Sequence, residues 1–272
     1  MNILFTADRG YMKHVEDCIR SFARFPSEDG YDVYLLHSDL DEAFEKEMEE
    51  RLKERVRLHF IHVDPERFQD FPESARYPRL IYYRIFAAEL LPEELDRILY
   101  LDGDTLVINP LNELYQMDFG ENDILACTHV QKFLNKLNQY RLGIKEEVPY
   151  INSGVILMNL AALRADFRFD EIAAYIKQHR NALTLPDQDI ITALYGGKIG
   201  LLDTMKYNLS DRMLDFYNFY HSAPGQERLD LEWVRKNAVV IHYYGKQKPW
   251  NDNYRGKLDV FYRELTAGGQ EA

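Results

Sequence analysis

Arg97-Ile98-Leu99-Tyr100-Leu101-Asp102-Gly103-Asp104-Thr105 is the stretch whose reading decides the fold. An apolar, strand-like run ends in two carboxylates separated by one glycine. Residues 98–101 are large and apolar without a break, which suits a strand buried on both faces of a parallel sheet. Ligands bind where such a strand ends, at the carboxyl edge of an open α/β sheet. In extended backbone, residues two apart point the same way, so Asp102 and Asp104 can share one cation. Gly103 removes a side chain that would block a ligand's close approach. Oxygen ligands favour a hard divalent ion such as Mg²⁺ or Mn²⁺. The same residues also read as a strand followed by a plain Asp-Gly turn.

Upstream of this stretch, strand-like and helical patterns alternate. Residues 2–7, 32–37 and 57–63 read as strands, and 11–25 and 41–55 as helices, the first with Val15, Cys18, Ile19 and Phe22 at helical spacing. That alternation implies parallel, right-handed βαβ units. His59 and His62 fall on opposite faces of their strand and are expected to be structural. Residues 64–79 read as a loop and 80–91 as a helix stopped by Pro92. Arg84, set among apolar neighbours in that helix, needs an anion, either a structural carboxylate or part of a ligand.

Downstream, Asp123–Cys127 and the apolar run from Val155 read as strands, about 160–180 as helical, and Lys198–Leu202 as a short strand. Pro186 opens a further helix, with Asp187 as a candidate N-cap. Residues 211–222 crowd five aromatic and methionine side chains into a packed cover or an aromatic platform. Val239-Val240-Ile241-His242 is a strand ending in a histidine, followed by Tyr243-Tyr244-Gly245-Lys246-Gln247-Lys248-Pro249-Trp250. That tail reads either as a closing clamp or as a permanently packed turn. No repeat or linker divides the 272 residues, so one domain, 1–272, with a C-terminal addition over about 205–272 is expected.

Composition narrows the partners. The net charge of −12 disfavours nucleic acid and anionic membranes, which need a basic field. The two cysteines, Cys18 and Cys127, form no metal or disulfide motif. The sequence shows neither a signal peptide nor an apolar run of membrane-spanning length, so a cytoplasmic protein with at most peripheral membrane contact is expected. Two strands far apart in sequence thus end in Asp102/Asp104 and His242. On one sheet edge they would form an Asp-Asp-His set that suits Mn²⁺ better than Mg²⁺, and nearby Lys248 suggests a phosphate.

With these pieces assembled, the chain resembles the retaining glycosyltransferases of family 8, with the GT-A fold: a Rossmann-like mixed sheet flanked by helices. The resemblance runs from Ile3 to about Trp250. It rests on Phe5-Thr6-Ala7-Asp8, Tyr83-Arg84, Leu99 to Asp104, Asn152-Ser153-Gly154-Val155, Asp187-Gln188-Asp189 and His242 to Trp250, in that order and spacing. It implies a UDP-sugar donor and a saccharide or lipid-linked saccharide acceptor, with Mn²⁺ held by Asp102, Asp104 and His242. It also implies that Ala7 and Asp8 contact the uracil–ribose part. Arg84, Asp104, Asn152, Asp187 and Gln188 would surround the donor, and Gly245 and Lys248 would grip the diphosphate. Gly10 stands where bacterial relatives often carry Asn, and His129 where they commonly carry Asp. The basic, aromatic C-terminal tail of some relatives has no counterpart in this sequence.

Retention requires double displacement or same-face attack. Gln188 is neutral and a poor nucleophile, whereas Asp187 carries charge; same-face attack assisted by Gln188 and the departing phosphate is favoured. Two other classes are weighed: a metal-dependent nucleotide-sugar hydrolase or nucleotidyltransferase, which the His242–Trp250 tail disfavours, and a non-catalytic sugar-nucleotide binder, which the intact ligand set disfavours.

Overall fold

Strands in this protein are sorted by alternation of apolar residues between two cores. The computed structural model describes residues 1–74, 77–130, 132–166, 168–223, 226 and 228–268. The end of the expected C-terminal addition, 269–272, lies outside the described residues. The strands are β1 (Asn2–Thr6), β2 (Asp32–His37), β3 (Arg57–His62), β4 (Arg97–Leu101), β5 (Thr105–Val107), β6 (Ile124–Cys127), β7 (Asn152–Asn159), β8 (Ile199–Leu201) and β9 (Val240–His242). Ile3, Phe5, Leu99, Leu101, Val155 and Leu157 point into one core, where Val15, Cys18, Ile19 and Phe22 of the helix Met12–Ala23 meet them. Leu4, Ile98, Tyr100, Ile156 and Met158 point into the other core, covered by segments 79–90, 160–166, 169–179 and 186–195. Burial on both faces is why β1, β4 and β7 read as continuous apolar runs.

Among the described residues the main sheet has the order β3-β2-β1-β4-β7-β6-β8. β1, β2, β3 and β4 are parallel, as the βαβ alternation implies. β7 runs antiparallel to both β4 and β6, so the sheet is mixed. Strand order turns back at β1, whose neighbours are β2 on one side and β4 on the other. The carboxyl ends of β1 and β4, carrying Ala7-Asp8 and Asp102, therefore flank a topological switch point, where open α/β sheets bind ligands.

Several expectations need correction. β9 is not part of the main sheet: it pairs antiparallel with β5 in a separate two-stranded ribbon, Thr105 opposite His242. The segment after Asp104, which the sequence left unassigned, is thus what brings His242 home. Residues 80–91 form a 3₁₀ helix over Arg79–Phe86 and only one α-turn over Ala87–Leu90. Five consecutive residues, Tyr82 to Phe86, are buried there, so no apolar stripe with α-helical spacing exists to hold a regular helix against one surface. The helix Lys132–Arg141 was not read from the sequence at all. Asp187 is not an N-cap; Leu185 takes that position, and Asp187 lies inside the first turn with its side chain turned to other partners.

Residues from 205 onward build a third core around Leu209, Leu214, Val234, Ile241, Leu258 and Phe261, with Leu106 of β5 contributing from the main body. The aromatic helix Asp211–Tyr220 is divided: Leu214 is buried in that core with Met213 and Tyr217 packed against it, while Phe219 and Tyr220 face outward.

Candidate active site

β4 ends at Leu101, and Asp102 to Thr105 form a tight turn. The Thr105 amide (3.0 Å) and hydroxyl (2.8 Å) both donate to the Asp102 carbonyl. Asp102 and Asp104 converge because of this turn, not because of strand alternation. Gly103 also serves a different purpose from the one expected. A Cβ there would meet Val15 at 2.9 Å and Tyr11 at 3.1 Å, so the glycine admits the first helix rather than a ligand.

One ligand atom from each of Asp102, Asp104 and His242 lies within 4.8 Å of the others. His242 Nε2 is 3.2 Å from Asp104 Oδ1 and 3.6 Å from Asp102 Oδ2. The histidine side chain is 2% exposed and that of Asp102 24%, so the group opens on the Asp102 side. Gly154 of β7 forms its wall: a Cβ at this residue would lie 2.1 Å from His242 Cε1 and 2.8 Å from Asp102 Oδ2. Two carboxylates and one imidazole around a glycine-lined cradle fit a hard or borderline divalent cation.

Lys248 already reaches this cluster, its ammonium paired with Asp104 Oδ2 and donating to the Tyr243 carbonyl at 2.9 Å. Burial works against charge on Asp104, but His242 and Lys248 more than offset it and hold the carboxyl below its ordinary range. Gly245 adopts φ of +103°, a backbone conformation open to glycine and strained for other residues. Beyond it, Trp250 stacks on His14 with ring centroids 3.7 Å apart, and Tyr11 meets its edge. The Tyr11 ring lies against the turn at Gly103, and burial, then the charges of Asp104, Asp102 and Asp8, push its phenol far above its ordinary value.

Arg84 answers the question the sequence left open: its anions are carboxylates of this chain. Its Nη1 donates to Asp102 Oδ1 at 2.8 Å, approaches Asp187 Oδ2 at 3.1 Å and reaches the Ser153 carbonyl at 3.3 Å. Its guanidinium lies 4.4 Å over the Tyr100 ring, whose hydroxyl also donates to Asp102 Oδ1 at 2.6 Å. Tyr100 looked like an ordinary core residue in the sequence, and only its place one pleat before Asp102 marks it. Burial raises the Asp187 carboxyl above its ordinary value, with Arg84 and the Ser153 hydroxyl, 2.6 Å away, holding part of the rise back.

The remaining expected residues sit at the end of β1, on β7 and on the helix Pro186–Tyr195. Asn152 Nδ2 (3.0 Å) and the Ser153 amide (3.2 Å) both donate to Gln188 Oε1. The next residue, Asp189, is fully buried and locks that helix by a bidentate pair with Arg141 at 2.7 and 2.9 Å. Ala7 is buried at the end of β1, and Asp8 Oδ1 accepts the Tyr11 amide at 2.9 Å, starting the first helix. Asn208, unmarked in the sequence reading, is fully buried between His242 Nδ1 and Asn152 Oδ1, 2.9 Å from each. His129 donates to the Asn208 carbonyl (Nε2 to O, 2.9 Å), and burial pushes its imidazole down to about 4.

A family model described as "Glycosyl transferase family 8" matches residues 2–254. General stress protein A of Bacillus subtilis is 24% identical over 258 residues, covering 93% of this chain and 88% of the relative. Lipopolysaccharide 1,2-glucosyltransferase of Escherichia coli K12 is 24% identical, covering 92% of this chain and 73% of the relative. The crystal structure of the galactosyltransferase LgtC with donor and acceptor sugar analogs superposes with a TM-score of 0.80 at 25% identity, covering 98% of this chain and 96% of that one.

Proposed function

The chain belongs to glycosyltransferase family 8, and from that premise we propose that it is a retaining hexosyltransferase. It would move galactose or glucose from a UDP-sugar to a hydroxyl of a saccharide acceptor, free or lipid-linked, in building a cell-surface glycan. No helix among the described residues is long and apolar enough to cross a membrane; we read the enzyme as cytoplasmic, with at most peripheral membrane contact, and residues 1–272 as one catalytic unit.

The observation that carries this reading is the meeting of two acidic turn residues and one strand-end histidine beside a polar network of Arg84, Asn152, Asp187 and Gln188. Asp102, Asp104 and His242 would hold Mn²⁺. When bound, a divalent cation there neutralises the charge that a departing diphosphate develops. Lys248 adds a second positive charge on the same side, and Gly245 gives its backbone the conformation needed to turn toward phosphate oxygens. Arg84 holds Asp102 and Asp187 at once, so it sets the metal side and the sugar side of the site in one geometry. Gln188 Oε1 accepts two hydrogen bonds, from Asn152 and Ser153, which hold its amide in one orientation, and from there it would assist same-face attack. Trp250, packed over His14 and Tyr11, helps exclude water that would hydrolyse the activated sugar.

The test is a panel of UDP-sugars assayed for Mn²⁺-dependent UDP release with and without mono- and disaccharide acceptors. Release that rises with both one donor and an acceptor is expected. Release of equal rate without acceptor would make the protein a hydrolase, and binding without release would make it a non-catalytic binder.

A further inference from the structure

Asn208 is fully buried, yet it joins Asn152 to His242 and so the two halves of the site. It caps the short helix Thr204–Tyr207, its amide donating to the Thr204 carbonyl at 3.1 Å. The next residue, Leu209, bridges to Ile241 within β9, with the His242 amide donating to the Leu209 carbonyl at 2.7 Å. The backbone that carries Asn208 is therefore fixed against the strand that carries His242.

The orientation of each amide in this region follows from backbone donors, which have only one possible role. The Gly154 N–H points at one terminal atom of Asn152, 3.1 Å away, so that atom is the oxygen. Asn208 approaches the same oxygen at 2.9 Å and must present its NH₂ group there. Its own oxygen then faces His242 Nδ1 at 2.9 Å, and Nδ1 must carry a hydrogen. The other end of Asn152 obeys the same logic: the Ser153 N–H fixes Gln188 Oε1 as an acceptor, and Asn152 presents its NH₂ to it. His129 Nε2–H, donating to the Asn208 carbonyl, grips the link from its third side.

We propose that Asn208 is a positioning residue of the transferase site: an amide relay, Gly154 N–H to Asn152 to Asn208 to His242, places the hydrogen on His242 Nδ1 and so turns Nε2 toward Asp102 and Asp104 as the metal ligand, while the same Asn152 orients Gln188. The inference deepens the metal-dependent reading above and rests on it. A histidine ligand takes its ring orientation and basicity from the partner of its other nitrogen, and loss of such a partner typically lowers metal affinity about 10- to 100-fold. The relay further couples that nitrogen to the sugar side of the site, so its two ends can be broken separately.

Three measurements test this. In the wild-type protein, nitrogen-15 spectra of the His242 imidazole should show a protonated Nδ1 whether or not Nε2 is also protonated; a bare Nδ1 would overturn the proposal. Mn²⁺ titration without nucleotide should show Asn208→Ala about 10- to 100-fold weaker than wild type. Asn208→Asp keeps an acceptor for Nδ1–H but loses the donor to Asn152. It should bind Mn²⁺ within a few-fold of wild type while losing the affinity margin of UDP-galactose and UDP-glucose over UDP. Equal damage by both variants at both ends, or unaltered Mn²⁺ binding by Asn208→Ala, would reduce Asn208 to a structural residue. If either variant fails to fold, the wild-type imidazole spectrum decides alone. If the wild type takes up no Mn²⁺, the metal reading fails, and the spectrum still reports whether the relay sets the Nδ1 hydrogen.

Discussion

Replacing Lys248 by methionine should strengthen metal binding and weaken catalysis, two changes of opposite sign from one substitution. In this structure the Lys248 ammonium is the cation on Asp104, and it also donates to the Tyr243 carbonyl at 2.9 Å. A divalent ion that takes Asp104 as ligand must displace that ammonium. A charge-assisted hydrogen bond of this kind contributes about 1.5–3 kcal/mol, and about 1.4 kcal/mol is a tenfold change in an equilibrium constant. Lys248→Met, which keeps the length of the stem and its packing, should therefore raise Mn²⁺ affinity roughly tenfold to a hundredfold when no nucleotide is present. In turnover the same lysine is the expected partner of the diphosphate. Removing one preorganised donor from a developing negative charge costs about 10²–10³ in rate. Calorimetric Mn²⁺ titration of nucleotide-free protein, set beside kcat/KM for the UDP-sugar, reads both effects. Mn²⁺ affinity that is unchanged or reduced in a folded Lys248→Met protein would refute the competition between lysine and metal.

Other expectations follow from the same geometry. Arg84→Met leaves the buried Asp187 and the part-buried Asp102 without their shared cation and should lower the unfolding free energy by about 3 kcal/mol in denaturant titration, with Arg84→Lys falling between it and wild type because an ammonium keeps the charge but not the guanidinium's planar contact over the Tyr100 ring. Gly154→Ala should abolish Mn²⁺ binding in a protein that still folds, since the added methyl falls on His242 and Asp102; calorimetry and circular dichroism separate the two outcomes. The Arg57 guanidinium, bonded to Asp32, holds that carboxyl down at about 2. A folded-state value below the unfolded one near 3.8 gives stability that is present above pH 4 and lost as pH falls toward 2. Arg57→Gln should accordingly melt below wild type at pH 7, and the gap should close as the pH is lowered through that window.

The parallel half of the sheet was legible because β1, β2 and β4 are buried on both faces and separated by helical patterns. The meeting of Asp102, Asp104 and His242 was legible as well, since Asp102 and His242 each close a short apolar run. What escaped was everything decided by contacts distant in sequence. The pairing of β5 with β9 cannot be read from three residues, Thr105–Val107, that are too short to show a period. Arg84 advertised a need for an anion, but its two carboxylates come from positions 18 and 103 residues away, with nothing local to name them. Gly103 and Gly154 look alike in sequence. Only the neighbours show that the first makes room for a helix and the second for the histidine and aspartate of the site. Asn208 carried no signal because a buried asparagine is identified by its partners, not by its neighbours in the chain.

The central claim, that Asp102, Asp104 and His242 form a working metal site in a UDP-sugar transferase, is tested most directly by the Mn²⁺ dependence of UDP release with donor and acceptor both present. Wild-type release should rise and saturate with Mn²⁺ and vanish with a chelator. Asp102→Asn and Asp104→Asn, each removing one charged ligand from the trio, should show no Mn²⁺-dependent release while melting as folded proteins. Full activity in either variant, or wild-type activity indifferent to the chelator, would contradict the account.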